Sequence, residues 1–99
     1  MPAICREGDT LTTGHACVGT TTLTTPQQST VRANNILIAR VGDATISHPA
    51  PPTPPCPAHV RFVNAGSSTV RISGAFVARI GDSADSGEMI TGSSNIFVG

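Results

Sequence analysis

Three histidines and one cysteine are the residues whose types and spacing are best suited to bind a metal. The chain has only three histidines among its 99 residues, and Cys56 lies three positions before the last of them. A Cys-x-x-His pair brings a thiolate and an imidazole to one ion, and zinc commonly takes four such ligands in a tetrahedron. The pattern therefore predicts one structural zinc ion held by four protein ligands: His15, His48, Cys56 and His59.

Cys17 is a second candidate for the sulfur ligand, because it follows His15 by only two residues. It ranks below Cys56, because its neighbour at ligand spacing, His15, already belongs to the predicted set. Three cysteines are an odd number, which argues against a closed disulfide framework. The sequence leaves open whether Cys17 competes for the metal.

A catalytic zinc ion is the alternative use of such a cluster, and it would make the chain a small zinc-dependent hydrolase. Catalytic sites keep one coordination position open for water and usually have a carboxylate base nearby. Asp85 and Glu88 are the candidate bases, because neither belongs to a repeated motif. Four protein ligands would leave the zinc ion no open position for water. Nothing in the sequence places residues as a nucleophilic triad. We therefore predict that the chain is not an enzyme and has no catalytic residues.

A proline-rich segment connects two of the predicted ligands, His48 and His59. Proline fixes its φ angle and cannot continue a β ladder. The segment is therefore predicted to be a stiff loop rather than a strand, with its ends held by the metal. Its prolines are Pro49, Pro51, Pro52, Pro54, Pro55 and Pro57.

An internal repeat predicts the scaffold that positions these loops. Residues 29–43 and 68–82 are identical at eight of 15 positions, without a gap. Each copy is predicted to be a β-hairpin that ends in Arg-x-Gly-Asp, because the pairs 34–35 and 73–74 contain Asn or Gly, which tolerate the positive φ angles of tight turns. The Asp of that motif is expected to accept backbone N–H bonds, and its Arg to pair with a nearby carboxylate. The predicted strands are 30–33, 36–40, 69–72 and 75–79.

A third copy of the repeat is divided between the two ends of the chain. The Arg-x-Gly-Asp motif recurs at 6–9, and residues 92–98 match residues 66–72. Residues 1–6 would then supply the missing second strand of the third hairpin. We therefore expect the N-terminal and C-terminal strands to pair and the two ends to be adjacent.

Three hairpins around an axis make a pseudo-three-fold object, which suits a partner with true three-fold symmetry.

Cys5 aligns with Ala39 and Ala78 in the repeat. It is therefore predicted to be a small core residue rather than a metal ligand.

Composition points to a single all-β domain over residues 1–99. The chain is rich in Thr, Val and Ile, whose β-branched side chains fit pleated strands better than helices. Only 12% of the residues are charged and the formal net charge is zero, which argues against a nucleic-acid partner. No apolar run approaches the ~20 residues that span a bilayer. The N-terminus lacks the features of a signal peptide, so we expect synthesis in the cytoplasm.

Several motifs together resemble the PAAR-repeat family over essentially the whole chain. They are Ala-Arg-x-Gly-Asp after a strand, the Gly-Ser-Ser-x-Ile/Val strand openings, and the Gly-His and Cys-Pro-x-His loops. The resemblance implies a cone whose vertex holds a zinc ion through three histidines and one cysteine, and these map onto the four ligands given above. Two features depart from the family pattern. Only the Ala-Arg half of Pro-Ala-Ala-Arg is present, and Ala16-Cys17 stands where Gly-Gly is usual.

The resemblance also implies a function and a partner. One copy of the protein would cap a trimeric β-helical spike, such as VgrG of type VI secretion systems or the equivalent spike of contractile phage tails and related injection particles. It would sharpen the spike for membrane puncture, touch the target membrane transiently, and carry effector cargo in some systems. The chain would be assembled in the cytoplasm and injected with the tip. It is expected to have no effector extension.

Overall fold

The computed structural model describes residues 2–50 and 56–99, which form an elongated body of 40 × 24 × 21 Å. Its regular structure is ten short β-strands, so the predicted all-β fold is confirmed. Within the described residues there is no helix of the length and apolarity needed to cross a membrane. The strands are β1 (Thr10–Thr12), β2 (Thr20–Thr22), β3 (Arg32–Ala33), β4 (Ile36–Leu37), β5 (His48–Pro49), β6 (Ala58–His59), β7 (Arg71–Ile72), β8 (Ala75–Phe76), β9 (Ser83–Ala84) and β10 (Gly87–Glu88).

Two tight hairpins form part of one end of the body, here called the base. Antiparallel pairing joins β3 to β4 and β7 to β8 across two-residue turns. Asn34 and Asn35 have φ angles of 54° and 65°, and Ser73 and Gly74 have φ angles of 52° and 85°. Two successive positive φ angles are typical of the type I′ turn that matches strand twist. The predicted hairpin turns are therefore confirmed.

The second strand of each hairpin changes partner after two residues, so the regular strands are shorter than the predicted 36–40 and 75–79. Past β4, Ile38 bridges to Arg6, and Arg40 bridges to Val77. Each extended segment thus starts in its own hairpin and continues against a neighbouring repeat. The residue pattern predicts that these segments are extended. It does not predict where they change partner, because that depends on how the three repeats pack together.

The two ends of the chain form the third hairpin of the base. Ala3 bridges antiparallel to Phe97, and the Val98 N–H donates to the Pro2 carbonyl at 3.0 Å. The predicted pairing and proximity of the terminal strands are therefore confirmed. Met1 lies outside the described residues.

A closed ring of backbone hydrogen bonds joins the three repeats. The Cys5 N–H donates to the Ala78 carbonyl at 2.9 Å, the Ala78 N–H to the Ala39 carbonyl at 2.9 Å, and the Ala39 N–H to the Cys5 carbonyl at 3.0 Å. All three residues are completely buried. The backbones meet this closely because the side chains are small, so the prediction that Cys5 is a small core residue is confirmed.

Each strand of this ring continues into an Arg-x-Gly-Asp turn. In all three turns the Asp carboxylate accepts a hydrogen bond from the Arg N–H at 2.7–2.8 Å. The Gly between them has a φ angle of 83–92°, which glycine adopts without strain. The Arg side chains also pair with these carboxylates, most closely between Arg79 and Asp82 at 2.9 Å. The predicted structural role of the motif is therefore confirmed.

Three extended segments, here called the legs, leave the turns and run away from the base. They start at Thr10, Ala44 and Ser83, and each is bridged to a strand that returns from another repeat. The side chains at these bridges form a second core above the ring and are at most 2% exposed. The bridged pairs are Leu11 with Met89, Thr45 with Leu23, and Ala84 with Val63.

The proline-rich segment is a strand at its two ends, contrary to the predicted loop. β5 pairs with β6, so His48 is opposite His59 and Pro49 is opposite Ala58. Among the described strands, β5 pairs with β6 alone, so the missing N–H of Pro49 breaks no hydrogen bond to a second neighbouring strand there. The remainder of the predicted stiff loop, residues 51–55, lies outside the described residues.

Candidate metal centre

Three histidines and one aspartate converge at the end of the legs. Each leg supplies one residue: His15 follows β1, His48 begins β5, and Asp85 lies in the turn between β9 and β10. His59 comes from β6, opposite His48. The side chains of these residues are at most 19% exposed, and that of Asp85 is 1% exposed. We call this group of four residues the histidine–aspartate cluster.

The donor atoms of the cluster surround a single point. Asp85 Oδ2 lies 2.9 Å from His15 Nε2, 2.8 Å from His48 Nε2 and 3.4 Å from His59 Nε2. The His59 Nε2 atom is also 3.1 Å from His15 Nε2 and 2.7 Å from His48 Nε2. A tetrahedral zinc ion with bonds of about 2.0–2.1 Å has ligand atoms roughly 3.3 Å apart. The cluster therefore has the size of one tetrahedral metal site.

Backbone carbonyls determine which nitrogen of two imidazoles faces the centre. His15 Nδ1 donates to the Ala16 carbonyl, and His48 Nδ1 donates to the Ile46 carbonyl, each at 2.9 Å. A neutral imidazole with its proton on Nδ1 has a lone pair on Nε2. The same type of contact orients histidines that bind metals. Two lone pairs and a carboxylate oxygen thus face one point, which favours a cation there.

Electrostatic interactions in the cluster favour an ionised Asp85 and a neutral His59, but they favour the protonated form of His15, whose Nε2 proton a metal ion would displace. Burial raises the pKa of Asp85, but hydrogen bonds from the doubly protonated forms of His48 and His15, together with the charge of the nearby imidazoles, outweigh burial, so the net pKa is lowered. The hydrogen bond to the Ala16 carbonyl raises the pKa of His15, and Asp85 adds to this effect. Burial, followed by the electrostatic effect of the adjacent His48 ring, lowers the pKa of His59. An ionised carboxylate and a neutral imidazole are the ligand forms that bind a divalent cation.

Two glycines allow the β9–β10 turn to pack against the loop that follows β1. A Cβ atom at Gly14 would overlap the backbone carbonyl of Ser86. A Cβ atom at Gly87 would likewise overlap the carbonyl of Thr12. Glycine is therefore required on both sides of the contact that brings two legs together at the cluster.

Cys56 does not lie in the cluster, because its Sγ is bonded to Cys17 Sγ. This differs from the predicted ligand set of one cysteine and three histidines. The odd number of cysteines argues against a closed disulfide framework, and the described residues contain this one bond with Cys5 left free. The loop after His15 places the Cα atom of Cys17 6.3 Å from that of Cys56, a separation that a disulfide spans. Zinc binds a thiolate, so Cys56 as a ligand remains a prediction for the reduced chain. Cys5 is a free, buried cysteine.

The structure brings together three of the predicted ligands and adds Asp85, which sequence reasoning considered only as a base. The signal that points to Asp85 is the repeat itself. Asp85 lies three residues after the third Arg-x-Gly-Asp motif, on the leg that corresponds to those of His15 and His48. Glu88, the other candidate base, is exposed and lies outside the cluster.

The donor set of the cluster fits zinc. Imidazole nitrogen and carboxylate oxygen are both ligands of this ion, and structural zinc sites have four protein ligands. Four donors converge here, so His15, His48, His59 and Asp85 would hold an ion without an open position for water. The ion would supply a fixed positive charge that joins three legs.

A family model for the PAAR motif matches residues 13–92 of the 99-residue chain. The match includes every residue of the histidine–aspartate cluster and two of the three Arg-x-Gly-Asp turns. A search of curated proteins found no match. Because the family model spans most of the chain and contains both the repeated hairpins and the cluster, this chain belongs to the PAAR motif family.

Proposed function

We propose that this protein is a structural tip that caps a trimeric β-helical spike, either a VgrG-like protein of a type VI secretion system or the equivalent spike of a contractile tail. The PAAR motif supports a role at the spike of an injection system. The observation that carries the proposal is the pseudo-three-fold base, in which three hairpins surround a closed backbone ring. A single chain with this symmetry matches the end of a symmetric trimer.

The base offers a surface of the right kind for such a partner. Ala33, Ile72 and Val98 occupy equivalent positions in the three hairpins and belong to the apolar cluster of the base. Ala33 is buried, whereas Ile72 and Val98 are half-buried. Within the part of the chain that the structure describes, the strands around them are short and each belongs to a two-stranded sheet. A trimeric β-structure would cover these apolar groups and continue the ladders, as exposed strand edges require.

The opposite end would be the point of the tip. One zinc ion at the histidine–aspartate cluster would join the three legs and stiffen the apex, which concentrates force on a target membrane. The protein would be assembled with its spike in the cytoplasm, carry effectors where the system uses them, and enter the target with the tip. This role is mechanical and needs no catalysis.

Neither candidate base favours the alternative of a small zinc hydrolase. Asp85 is in contact with all three imidazoles and takes the place of an open coordination position. Glu88 is exposed and outside the cluster.

The capping role is tested by mixing the protein with the spike trimer of its own organism. Native mass spectrometry is expected to show one copy of this chain on three spike chains. Val98→Asp places a charge on the apolar base, so it should weaken the complex by at least about 10-fold, because the charge must be desolvated on docking.

Ile90→Asp is the matched control, because Ile90 is an exposed apolar residue, 42% accessible, whose N–H donates to the Thr10 carbonyl at the start of a leg. It is expected to leave the complex intact. The melting temperature of each variant separates loss of docking from loss of folding. A complex with another stoichiometry, or equal binding by both variants, would contradict the proposal.

A further inference from the structure

The first strands of the three base hairpins share an equivalent position, which is occupied by Arg32, Arg71 and Phe97. We call these the edge positions. Their neighbours across the hairpin are Leu37, Phe76 and Ala3, respectively. All three side chains at the edge positions are exposed, that of Phe97 by 49%. Two equivalent positions therefore present a positive charge, and the third presents an aromatic ring.

The backbone at the edge positions faces away from its own hairpin. Beside each position one ladder bond joins the two strands: the N–H donors are Ile38, Val77 and Ile4, and the acceptors are the carbonyls of Val31, Val70 and Ile96. Bonded and non-bonded residue pairs alternate along an antiparallel ladder, so the next pair, which contains the edge position, is not bonded within the hairpin. Its outward N–H and C=O groups bond to no other backbone group among the described residues. A partner strand at each free edge would satisfy them.

The base hairpins carry arginine but no carboxylate side chain. The acidic residues of the chain lie in the Arg-x-Gly-Asp turns, the legs or the β9–β10 hairpin, and they are Glu7, Asp9, Asp43, Asp82, Asp85 and Glu88. The arginines of the turns pair with these carboxylates, whereas Arg32 and Arg71 have no ion-pair partner within the described residues. Arg32 Nη1 instead donates to the Asn35 carbonyl at 3.3 Å, and the Arg71 guanidinium lies 4.3 Å from the centre of the Phe76 ring. The side-chain charges cancel over the whole chain but are positive on the base.

We infer that the partner of the base is a three-fold symmetric protein whose strands pair with the free edges of the hairpins and place an acidic residue opposite each edge position. This inference rests on the proposed function, which it extends from the symmetry of the spike end to its chemistry. Side chains directly opposite each other on neighbouring strands are about 4.5–5.5 Å apart, and pairs of opposite charge stabilise the sheet. A second copy of this chain does not fit, because its base also presents arginine and no carboxylate side chain.

The symmetry of the partner makes the third edge position different from the other two. A three-fold partner presents three identical acidic sites. Two of them face Arg32 and Arg71, and the third faces Phe97, which has no charge to neutralise a carboxylate. The chain thus uses two of three available ion pairs, so a positive charge added at position 97 should strengthen docking.

The two arginines are tested by titrating the intact chain with the spike trimer of its own organism. Arg32→Gln and Arg71→Gln should each weaken binding by about 3- to 5-fold at low salt, because each variant loses one cross-strand ion pair. The difference from the wild type should disappear at about 1 M salt, where charges are screened beyond about 3 Å. Arg61→Gln is the matched control, since Arg61 is an exposed arginine whose N–H donates to Thr45 Oγ1 beside a leg. It should bind as the wild type does.

Phe97→Arg tests the symmetry argument directly. It should tighten binding at low salt by about 3- to 5-fold, because it supplies the third ion pair. Phe97→Gln is the control that removes the ring without adding a charge, and it should not tighten binding. The melting temperature of each variant shows whether the base remains folded.

Unchanged binding by either Arg32→Gln or Arg71→Gln, an equal effect of Arg61→Gln, or weaker binding by Phe97→Arg than by Phe97→Gln would overturn the inference. A complex of one chain with three spike chains whose affinity ignores salt and these side chains would leave the capping role in place while this inference fails. A chain that forms no such complex, or binds only another copy of itself, would overturn both.

Discussion

At the scale of single residues, acidic side chains of the same type serve two different purposes. Asp43, in an Arg-x-Gly-Asp turn, is 1% exposed and accepts hydrogen bonds from the backbone N–H groups of Arg40 and Gln27. Asp85 has an equally buried side chain, but its Oδ2 faces imidazoles. The charge of a carboxylate surrounded by N–H donors is already compensated, whereas a carboxylate that faces nitrogen lone pairs needs a cation to compensate its charge. The neighbours, rather than the residue type, decide which carboxylate is suited to hold a metal ion.

A prediction at this scale concerns the removal of one imidazole. If the proposed zinc ion joins the legs, His48→Ala should abolish zinc binding and lower the melting temperature by about 10 °C or more, because such an ion would bind only the folded chain. Elemental analysis and calorimetry measure the two effects. Ser47→Ala, at the exposed neighbouring position, should retain both the zinc and the melting temperature. Wild-type protein that contains no zinc would contradict the prediction.

At the scale of elements, the strands are too short to be stable by themselves. Most ladders contain two residue pairs, and an isolated hairpin of any length is at best marginal in water. Stability must therefore come from contacts between repeats, such as the bridges between legs and returning strands. The close contact between the β9–β10 turn and the loop after β1 is of this kind, and glycine permits it.

This contact predicts an asymmetry between two glycines of the same loop. Gly14→Ala should destabilise the protein by about 2–4 kcal/mol and weaken zinc binding, because its Cβ would overlap the Ser86 carbonyl and its φ angle is 70°. Gly19→Ala should change stability by less than about 0.5 kcal/mol, since no atom lies within 4 Å of the added Cβ. Chemical denaturation with zinc present measures both. Equal effects of the two substitutions would show that this packing is wrong.

At the scale of the whole molecule, a covalent bond, a backbone ring and a candidate ion site join the three repeats. The Cys17–Cys56 bond joins residues 39 positions apart, and closing a loop of that length stabilises a folded chain by about 4 kcal/mol in the chain-entropy description. The ring of Cys5, Ala39 and Ala78 joins the three repeats through buried backbone hydrogen bonds. Burial raises the pKa of the Cys5 thiol to about 12, with nearby Asp9 and Asp82 adding to this effect, so Cys5 is an inert core residue.

The ring predicts that two substitutions at equivalent positions destabilise the protein to very different extents. Cys5→Ala should cost less than about 1.5 kcal/mol, because alanine already occupies both other positions of the ring. Ala39→Leu should cost about 3 kcal/mol or more, because a larger side chain separates three hydrogen-bonded backbones that are completely buried. Thermal unfolding of both variants checks the difference. A stable Ala39→Leu protein would mean that the ring is not closely packed.

Residue types and repeats were enough to predict the all-β class, the three repeats, the hairpin turns, the pairing of the termini and the three histidines of the cluster. These features depend on local rules: β-branched residues favour strands, Asn and Gly favour positive φ angles, and a repeated motif folds in the same way each time. The position of Asp85, the Cys17–Cys56 bond and the points where strands change partner emerge only in the folded chain. These depend on packing between segments far apart in the chain: Asp85 meets His15 across 70 residues. No spacing rule relates residues so distant, because the folded backbone rather than local pattern sets their separation.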